Sequence, residues 1–234
     1  NDKHLFFQIV IPYGGITLWN LFMDSKQHEV TLSQFANLLS QVLVAVNDMT
    51  KNGYAHLDIK PMNILVHEGR IILIDFSLLK KHENVYHKDN LYLLRSKYIW
   101  YPPEFYVSSR LLKDPNTNEL EIARKSLYIY ETPKYGLQYD AETVKKQEQA
   151  LVEYIKFLKN SKDVLNQQEV MALSTKIAQK IDVYGVGVTF LNFFEAKGFK
   201  HPQLHNLLKK MTLSDPRKRI SAIAVKKGIA KINL

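Results

Sequence analysis

Cysteine is absent from this 234-residue sequence. Its absence excludes Cys-ligated zinc, iron–sulfur clusters, thiol catalysis and the disulfide framework of a small secreted domain. No uninterrupted apolar run approaches the roughly 18 residues that a membrane span requires. The apolar stretch at 5–11 is too short for the h-region of a signal peptide. We therefore expect a chain without membrane contact, located in the cytoplasm or the nucleus.

Glycine and proline are also scarce, with nine and eight copies, which excludes collagen-like and low-complexity chains. The 46% of hydrophobic and 24% of charged residues are typical of a globular domain. Lysine and arginine (32) outnumber aspartate and glutamate (23), so the net charge is +9. The basic residues are spread along the chain, and no basic cluster is interleaved with aromatic residues. This dispersal predicts a solvated basic surface and not a nucleic-acid partner.

Hydrophobic periodicity predicts a mainly α chain. Thr31 and Gln34 have the spacing of a capping box, apolar residues follow at helical spacing, and Gly53 stands where that helix should end. Further helices are predicted at 18–23, 143–158, 167–179, 180–194, 201–211 and 221–232, and a buried strand is predicted at 6–11.

A β-hairpin is predicted near the middle of the first half of the chain. Two short apolar strands at 64–66 and 71–74 flank Glu68-Gly69, a typical turn pair. In contrast, residues 107–140 are polar and are predicted to be loop-like, with a turn at 114–116.

Four polar residues flank this hairpin. Asp58, Lys60 and Asn63 lie in the loop that precedes it, and Asp75 follows its second strand. Because a hairpin brings its two ends together, we expect Asp75 to return close to Asn63. Carboxylate and carboxamide oxygens are hard ligands suited to Mg²⁺, and an ammonium group can bind a phosphate. The combination suits phosphoryl transfer, which depends on positioning and electrostatic stabilisation.

Each of these residues has a simpler explanation when it is taken singly. A lone aspartate beside a loop is usually a turn or capping residue, and a lone lysine is usually a surface residue. His56, which opens the loop, would alone be interpreted as a hydrogen-bonded core histidine. The order of these residues and their position around the hairpin favour a phosphate-transfer site over the separate explanations.

The same stretch carries the motifs of a known family. His56-Leu57-Asp58-Ile59-Lys60-Pro61-Met62-Asn63 is similar to the catalytic loop H-R-D-x-K-x-x-N, and Asp75-Phe76-Ser77 is similar to D-F-G. Pro102-Pro103-Glu104 resembles A-P-E, residues 182–187 resemble the start of a buried central helix, residues 215–219 resemble a late arginine motif, and residues 11–15 resemble a hinge. The chain therefore resembles the C-terminal lobe (C-lobe) of the eukaryotic-type serine/threonine protein kinase family.

The resemblance implies a role for each site residue. Asp58 would be catalytic and accept the proton of the substrate hydroxyl, and Lys60 would bind the γ-phosphate of ATP. Asn63 and Asp75 would hold Mg²⁺. The nucleotide-binding residues implied are Pro12, Tyr13, Gly14, Lys60, Asn63, Leu65 and Asp75. Among these, the hinge backbone would hydrogen-bond the adenine, and Leu65 would pack beneath it.

The implied fold is mainly α: a kinase C-lobe with a small β-hairpin at the catalytic loop and a helical insertion. In that fold Asp182 would anchor the catalytic loop, and Glu104 would pair with Arg219. The apolar stripe of the insertion would either pack on the C-lobe or dock a partner protein. The implied divisions are the last N-lobe strand and hinge at 1–15, the catalytic loop and activation segment at 16–106, the insertion at 107–176, and the remaining C-lobe at 177–234.

Besides the insertion, three departures from the family pattern matter. The chain contains no GxGxxG loop, so we expect it to be a piece of a longer kinase and not a degenerate C-lobe protein. Leu57 replaces the arginine that pairs with a phosphorylated activation segment. We therefore expect activity independent of phosphorylation at 75–104, where Tyr86 and Tyr92 are the plausible acceptors. Ser77 replaces the glycine of D-F-G, which we expect to stiffen the turn without contact to the metal ligand.

Two other functions are considered beside an ATP- and Mg²⁺-dependent serine/threonine protein kinase. One is a pseudokinase or kinase-like C-lobe that acts as a protein-binding module. The other is a small-molecule kinase of the choline or aminoglycoside type, which also uses an H-x-D-x-x-x-x-N loop. The complete polar set favours activity, and the Lys60-Pro61 pair favours a protein substrate. The hinge and the Lys/Asn/Ile-rich composition resemble kinases of large DNA viruses, which would place the protein in an infected cell or a virion.

Overall fold

The computed structural model describes residues 13–23, 29–86, 98–127, 140–164 and 167–232. Helices dominate these residues, and the strands are short, so the mainly α prediction is confirmed. The helices are α1 (Leu18–Met23), α2 (Leu32–Lys51), α3 (His82–Val85), α4 (Pro103–Lys113), α5 (Glu119–Ser126), α6 (Ala141–Val164), α7 (Gln167–Ala178), α8 (Ile181–Ala196), α9 (Pro202–Met211) and α10 (Ala222–Ile229). The strand predicted at 6–11 lies outside the described residues.

The strands form two small antiparallel sheets. They are β1 (Ile16–Thr17), β2 (Tyr54–Ala55), β3 (Ile64–His67), β4 (Arg70–Leu73) and β5 (Lys80–Lys81). In the first sheet β3 lies between β1 and β4, and in the second β2 pairs with β5. Short 3₁₀ turns at 61–63 and 76–78 precede and follow the hairpin of β3 and β4.

Helix α2 begins and ends where the sequence predicts. The Thr31 hydroxyl accepts a hydrogen bond from the Gln34 backbone N–H at 3.2 Å, and the Gln34 side chain accepts one from the Thr31 N–H at 2.9 Å. This reciprocal pair satisfies two N–H groups that the first turn would otherwise leave without partners. Gly53 follows the last turn with a φ of 81°, a conformation that favours glycine.

The predicted hairpin is confirmed, and its turn explains its register. His67 pairs with Arg70 and Ile64 pairs with Leu73. Glu68 and Gly69 both have positive φ, 50° and 73°, as a two-residue hairpin turn of type I′ requires. The strands therefore end side by side beyond the turn, and the backbone N–H of residue 74 donates to the carbonyl of residue 63 at 3.0 Å.

The main hydrophobic core lies around α8. Thirteen of the 16 residues in this helix are buried, as its nearly uniform apolar sequence predicts. Close packing is possible because α8 carries glycine where other elements approach: a Cβ on Gly187 would lie 2.6 Å from Met211 Cβ of α9. Core residues from α1, α2, α9 and α10 include Phe22, Phe35, Leu39, Leu204, Leu208 and Val225. Ile59, in the loop that carries Asp58, belongs to the same core.

The prediction that residues 107–140 are loop-like is wrong for its described part, because α4 and α5 cover 103–113 and 119–126. The turn between these helices is correctly predicted, and Asn118 caps α5 by accepting from the N–H groups of residues 120 and 121. Apolar residues of α4 and α5 are too sparse to indicate helices alone, but they form a second core with α6 and α7. Its buried members include Val107, Leu111, Ile122, Leu151, Tyr154 and Ile155.

The apolar stripe of α6 is therefore used inside the chain. Leu151, Tyr154 and Ile155 are buried in the second core, and the helix also contacts the late arginine motif. The Ser214 N–H and hydroxyl both donate to Gln147 at 2.8 Å, and the Arg217 guanidinium lies 4.6 Å from the centroid of the Phe157 ring. The first of the two alternatives for this stripe was packing on the C-lobe. The structure shows packing mainly against α4, α5 and α7, and the Arg217 guanidinium of the C-lobe lies 5.5 Å from the centroid of the Tyr154 ring. The division at 106/107 stays a prediction.

Candidate active site

The loop that carries Asp58 is anchored by a buried carboxylate of α8. Asp182 Oδ2 accepts a hydrogen bond from the His56 N–H at 2.7 Å, and Asp182 Oδ1 accepts one from the Leu57 N–H at 2.9 Å. Gly185, one turn further along α8, allows the helix to approach the carbonyl of residue 59. The anchoring expected for Asp182 is confirmed.

His56 is a structural residue of this loop. It is fully buried, and its Nδ1 accepts a hydrogen bond from the Asp58 N–H at 3.3 Å. Its Nε2 is then the protonated nitrogen and donates to the Ile74 carbonyl at 3.2 Å. The His56 ring also packs against Phe76 at 4.7 Å between centroids. His56 thus connects the loop to the end of β4, as expected of a hydrogen-bonded core histidine.

Asp58, Lys60 and Asn63 form one hydrogen-bonded group. Asp58 Oδ2 accepts from the Lys60 ammonium at 2.7 Å and from the Asn63 Nδ2 at 2.8 Å. Asn63 Nδ2 also donates to the Asp58 carbonyl at 3.0 Å, which fixes the amide orientation. The other carboxylate oxygen, Asp58 Oδ1, accepts no hydrogen bond from the described residues.

Lys60 is half-buried, and its pKa reflects its two neighbours. Burial by itself lowers the pKa, but hydrogen bonding to Asp58 and to the Tyr98 side chain outweighs this effect, so the pKa of Lys60 is raised. Lys60 therefore carries its positive charge at any physiological pH. Tyr98 is a residue of the site that the sequence analysis above does not single out. The run of aromatic residues at 98–101 is the signal that could have identified it.

Asp75 follows β4 in a left-handed conformation with a φ of 62°. Its Oδ1 accepts from the Ser77 hydroxyl at 2.6 Å and, more weakly, from the Ser77 N–H at 3.4 Å. These bonds, the side-chain one first, lower the pKa of Asp75 below its ordinary value. The expectation that Ser77 makes no contact with the metal ligand is wrong, because a serine at this position can reach back two residues to the carboxylate.

Asn63 and Asp75 each offer an oxygen of the kind that binds magnesium. Asn63 uses its Nδ2 toward Asp58, so its carbonyl oxygen can face a cation, and the Asp75 carboxylate is exposed and ionised. Among the described residues, no group of three His, Cys, Asp or Glu side chains could hold a metal. Mg²⁺ is commonly bound by one or two protein ligands together with substrate phosphates. The donor set fits that mode.

The opposite edge of the hairpin contains the residues expected to contact adenine. A Cβ on Gly14 would lie 2.7 Å from Leu65 Cδ1, so these two predicted residues are in direct contact. Ile72 is the cross-strand partner of Leu65, shares its face and is exposed, although sequence analysis did not single it out. Tyr13 is 73% exposed, and its ring contacts the His67 ring at 5.9 Å between centroids. Pro12 lies outside the described residues.

Leu57 is packed among apolar residues of the activation segment and C-lobe. It is buried despite a φ of 66°, and its cluster includes Val85, Phe105 and Ile181. The hydroxyl of the neighbouring Tyr86 is buried and has no hydrogen-bond partner among the described residues. The expectation that Tyr86 is an accessible phosphate acceptor is therefore wrong in this conformation, whereas Tyr92 lies outside the described residues.

Glu104 and Arg219 form the expected ion pair, and both side chains are fully buried. Arg219 Nη1 and Nη2 donate to the two carboxylate oxygens of Glu104 at 2.6 and 2.8 Å. Its remaining N–H groups donate to the carbonyls of Leu213 and Lys180. All five guanidinium donors are satisfied, as a buried arginine requires.

The sequence pattern of the protein kinase domain matches residues 2–228 of the chain. RIM15 of Saccharomyces cerevisiae, a serine/threonine-protein kinase, is 41% identical over 59 residues, covering 23% of this chain and 3% of that protein. The serine/threonine-protein kinase mph1 of Schizosaccharomyces pombe is 32% identical over 80 residues, covering 34% and 12%. A probable serine/threonine-protein kinase of Dictyostelium discoideum, clkA, is 31% identical over 76 residues, covering 32% and 8%. The chain thus spans a small part of the length of these relatives.

None of the helices within the described residues combines the length and the apolar character that crossing a membrane would require.

Proposed function

The chain belongs to the protein kinase family, and from this premise we propose that it transfers the γ-phosphate of ATP to a serine or threonine hydroxyl of a protein substrate with Mg²⁺. The observation that carries the proposal is the arrangement around Asp58. Lys60 and Asn63 hold one carboxylate oxygen at 2.7 and 2.8 Å and leave the other for the substrate. The serine/threonine kinases among the relatives support the choice of acceptor.

The residues would divide the reaction between them. Asp58 orients the acceptor hydroxyl through Oδ1 and takes its proton as the oxygen attacks the γ-phosphorus and the bond to ADP breaks. Lys60 stabilises the negative charge on the transferred phosphoryl group, since its ammonium is partly buried and always charged.

Asn63 and Asp75 would hold Mg²⁺ through their carboxamide and carboxylate oxygens. When bound, the ion neutralises charge on the ATP phosphates. Gly14 and Leu65, in contact across the hairpin edge, would bind the adenine between the hinge backbone and an apolar surface.

The two alternative functions predict different behaviour of the same residues. A pseudokinase would bind a partner but transfer no phosphate, so substitutions of Asp58 would leave its function intact. A small-molecule kinase would phosphorylate choline or an aminoglycoside. The buried Glu104–Arg219 pair supports a protein substrate. The pair fixes the end of the activation segment, and a protein substrate would bind against that segment.

The experiment uses the protein expressed at its full natural length with radiolabelled ATP, Mg²⁺ and casein or myelin basic protein, beside choline and kanamycin. We expect label on serine or threonine of the protein substrates. Asp58→Asn and Asp75→Ala should each lower the rate at least about 10²-fold. Asp114→Asn changes a turn carboxylate outside the proposed site and should leave the rate unchanged. Absence of transfer by the wild type, label on a small molecule alone, or full activity of either site variant would overturn the proposal.

Three sequence-based expectations continue as proposals. We propose a cytoplasmic or nuclear location, which the cysteine-free composition supports. Partner docking on the 107–176 insertion would have to use a surface other than the buried stripe of α6. We also propose an origin in a large DNA virus, which the hinge and the Lys/Asn/Ile-rich composition support.

A further inference from the structure

Lys60 lies between a carboxylate and an aromatic ring. Its Nζ is 2.7 Å from Asp58 Oδ2 and 5.6 Å from the centroid of the Tyr98 ring. The side chain of Lys60 is only 20% exposed, so water screens these contacts weakly. A cation over the face of an aromatic ring is attracted to its negative π-surface, and the attraction strengthens as water is removed.

The Tyr98 ring is itself held by the protein core. The Tyr101 N–H donates to the Tyr98 carbonyl at 2.9 Å and closes a tight turn. The Tyr98 ring contacts the rings of Trp100 and Tyr101, with centroids 5.0 and 4.8 Å away. Trp100 is buried in the main core beside Ile59 of the catalytic loop. The Tyr98 ring and the catalytic loop therefore both pack against the main hydrophobic core.

We propose that Tyr98 is a positioning residue for phosphoryl transfer, whose ring and hydroxyl hold the Lys60 ammonium beside Asp58 and directed at the reacting phosphate. This inference rests on the proposed function. A free lysine side chain samples many rotamers, and ordering it before the phosphate arrives removes that cost from the reaction. The contact that the structure gives between Tyr98 and this polar group is the one with the Lys60 ammonium, and we therefore expect Tyr98 to act through Lys60.

The proposal predicts that substitutions of Tyr98 change kcat and leave KM unchanged. Asp58 keeps its hydrogen bond from Asn63 when Tyr98 is changed, so we expect the orientation of Asp58 to be retained. We expect Tyr98→Leu to lower kcat about tenfold with the KM for casein unchanged within a factor of about two. We expect Tyr98→Phe, which keeps the ring and loses the hydroxyl, to lower kcat about threefold, because a lost hydrogen bond to a charged group is a smaller change.

The test is a kinetic double-mutant cycle in the full-length protein with the casein assay. Tyr98→Leu and Tyr98→Phe are each measured in the wild type and in Lys60→Ala, under single-turnover conditions. If Tyr98 acts through Lys60, neither change lowers the rate further in Lys60→Ala. Tyr106→Phe, a tyrosine of α4, serves as the control and should match the wild type.

Each possible outcome either supports the inference or overturns it. Equal losses from Tyr98→Leu in both backgrounds would show a merely structural role and overturn the inference, as would a loss that appears in KM and not in kcat. If thermal melts show that Tyr98→Leu does not fold, the same comparison is made with Tyr98→Phe. Its threefold loss in the wild type should then be absent in Lys60→Ala. An inactive wild type would overturn the proposed function as well, whereas an active wild type with a non-coupled Tyr98 would overturn this inference alone.

Discussion

Removing the charge of Arg219 should destabilise the chain more than any exposed substitution. The change we choose is Arg219→Met, which keeps most of the side-chain length and removes all five donors. It would leave the buried Glu104 carboxylate, now bound at 2.6 and 2.8 Å, without a counter-charge. It would also remove donors from the carbonyls of Leu213 and Lys180.

The expected loss of stability follows from the carboxylate left without a counter-charge and from the lost hydrogen bonds. Breaking a buried ion pair by removing one partner costs about 3–5 kcal/mol, because the remaining charge stays desolvated. Domains are typically stable by about 5–15 kcal/mol, so the loss is a large fraction of the total. For a chain of this size a loss of 1 kcal/mol lowers Tm by about 2–4 °C, which predicts a decrease of roughly 6–20 °C. Glu104→Gln should also cost about 3–5 kcal/mol, because it leaves the buried Arg219 charge without a counter-charge.

The assay is urea unfolding followed by both circular dichroism and tryptophan fluorescence, with thermal melts as a second measurement. Lys125→Ala, which breaks an exposed i,i+4 pair with Glu121, is the control and should unfold with the wild type. The double variant Glu104→Gln/Arg219→Met should be no less stable than Arg219→Met alone, since neither charge is then stranded. A free energy of unfolding for Arg219→Met within about 0.5 kcal/mol of wild type, or strict additivity in the double variant, would refute the reasoning.

Three further predictions concern the site. A Cβ on Gly185 would lie 2.7 Å from the carbonyl oxygen of residue 59, so Gly185→Ala should displace the catalytic loop and lower kcat at least about tenfold. Gly228→Ala meets only a flexible side chain and should retain wild-type turnover in the same assay. Because hydrogen bonds from Ser77 lower the pKa of Asp75, its carboxylate stays ionised as the pH falls; Ser77→Ala should raise this pKa and move the acidic limb of the pH–rate profile to higher pH. An unmoved limb would contradict this. The Tyr86 hydroxyl is buried, so Tyr86→Phe and phosphatase treatment should each keep kcat within about tenfold, and a larger loss would end the expectation of phosphorylation-independent activity.

Short-range chemistry made several features predictable from the sequence. The capping box of Thr31 and Gln34 is decided by residues three positions apart, and the hairpin turn at 68–69 by two adjacent residues. The chemistry of Asp58, Lys60 and Asn63 was also predictable, because a tight loop between fixed elements brings residues so close in sequence together. The long-range Glu104–Arg219 pair was predictable for a different reason, the resemblance of its flanking motifs to a family pattern.

Tertiary packing determined the features that the sequence left open or misassigned. Helices α4 and α5 have few apolar residues, and burial against α6 stabilises them where propensity alone does not. The contact of Ser77 with Asp75 depends on a positive φ at the aspartate, which composition does not indicate. The position of the Tyr98 ring over Lys60 depends on how the turn at 98–101 rests on the core shared with the catalytic loop. Contacts between segments distant in sequence arise from the packing of the whole lobe, because no local pattern encodes which side chains will meet.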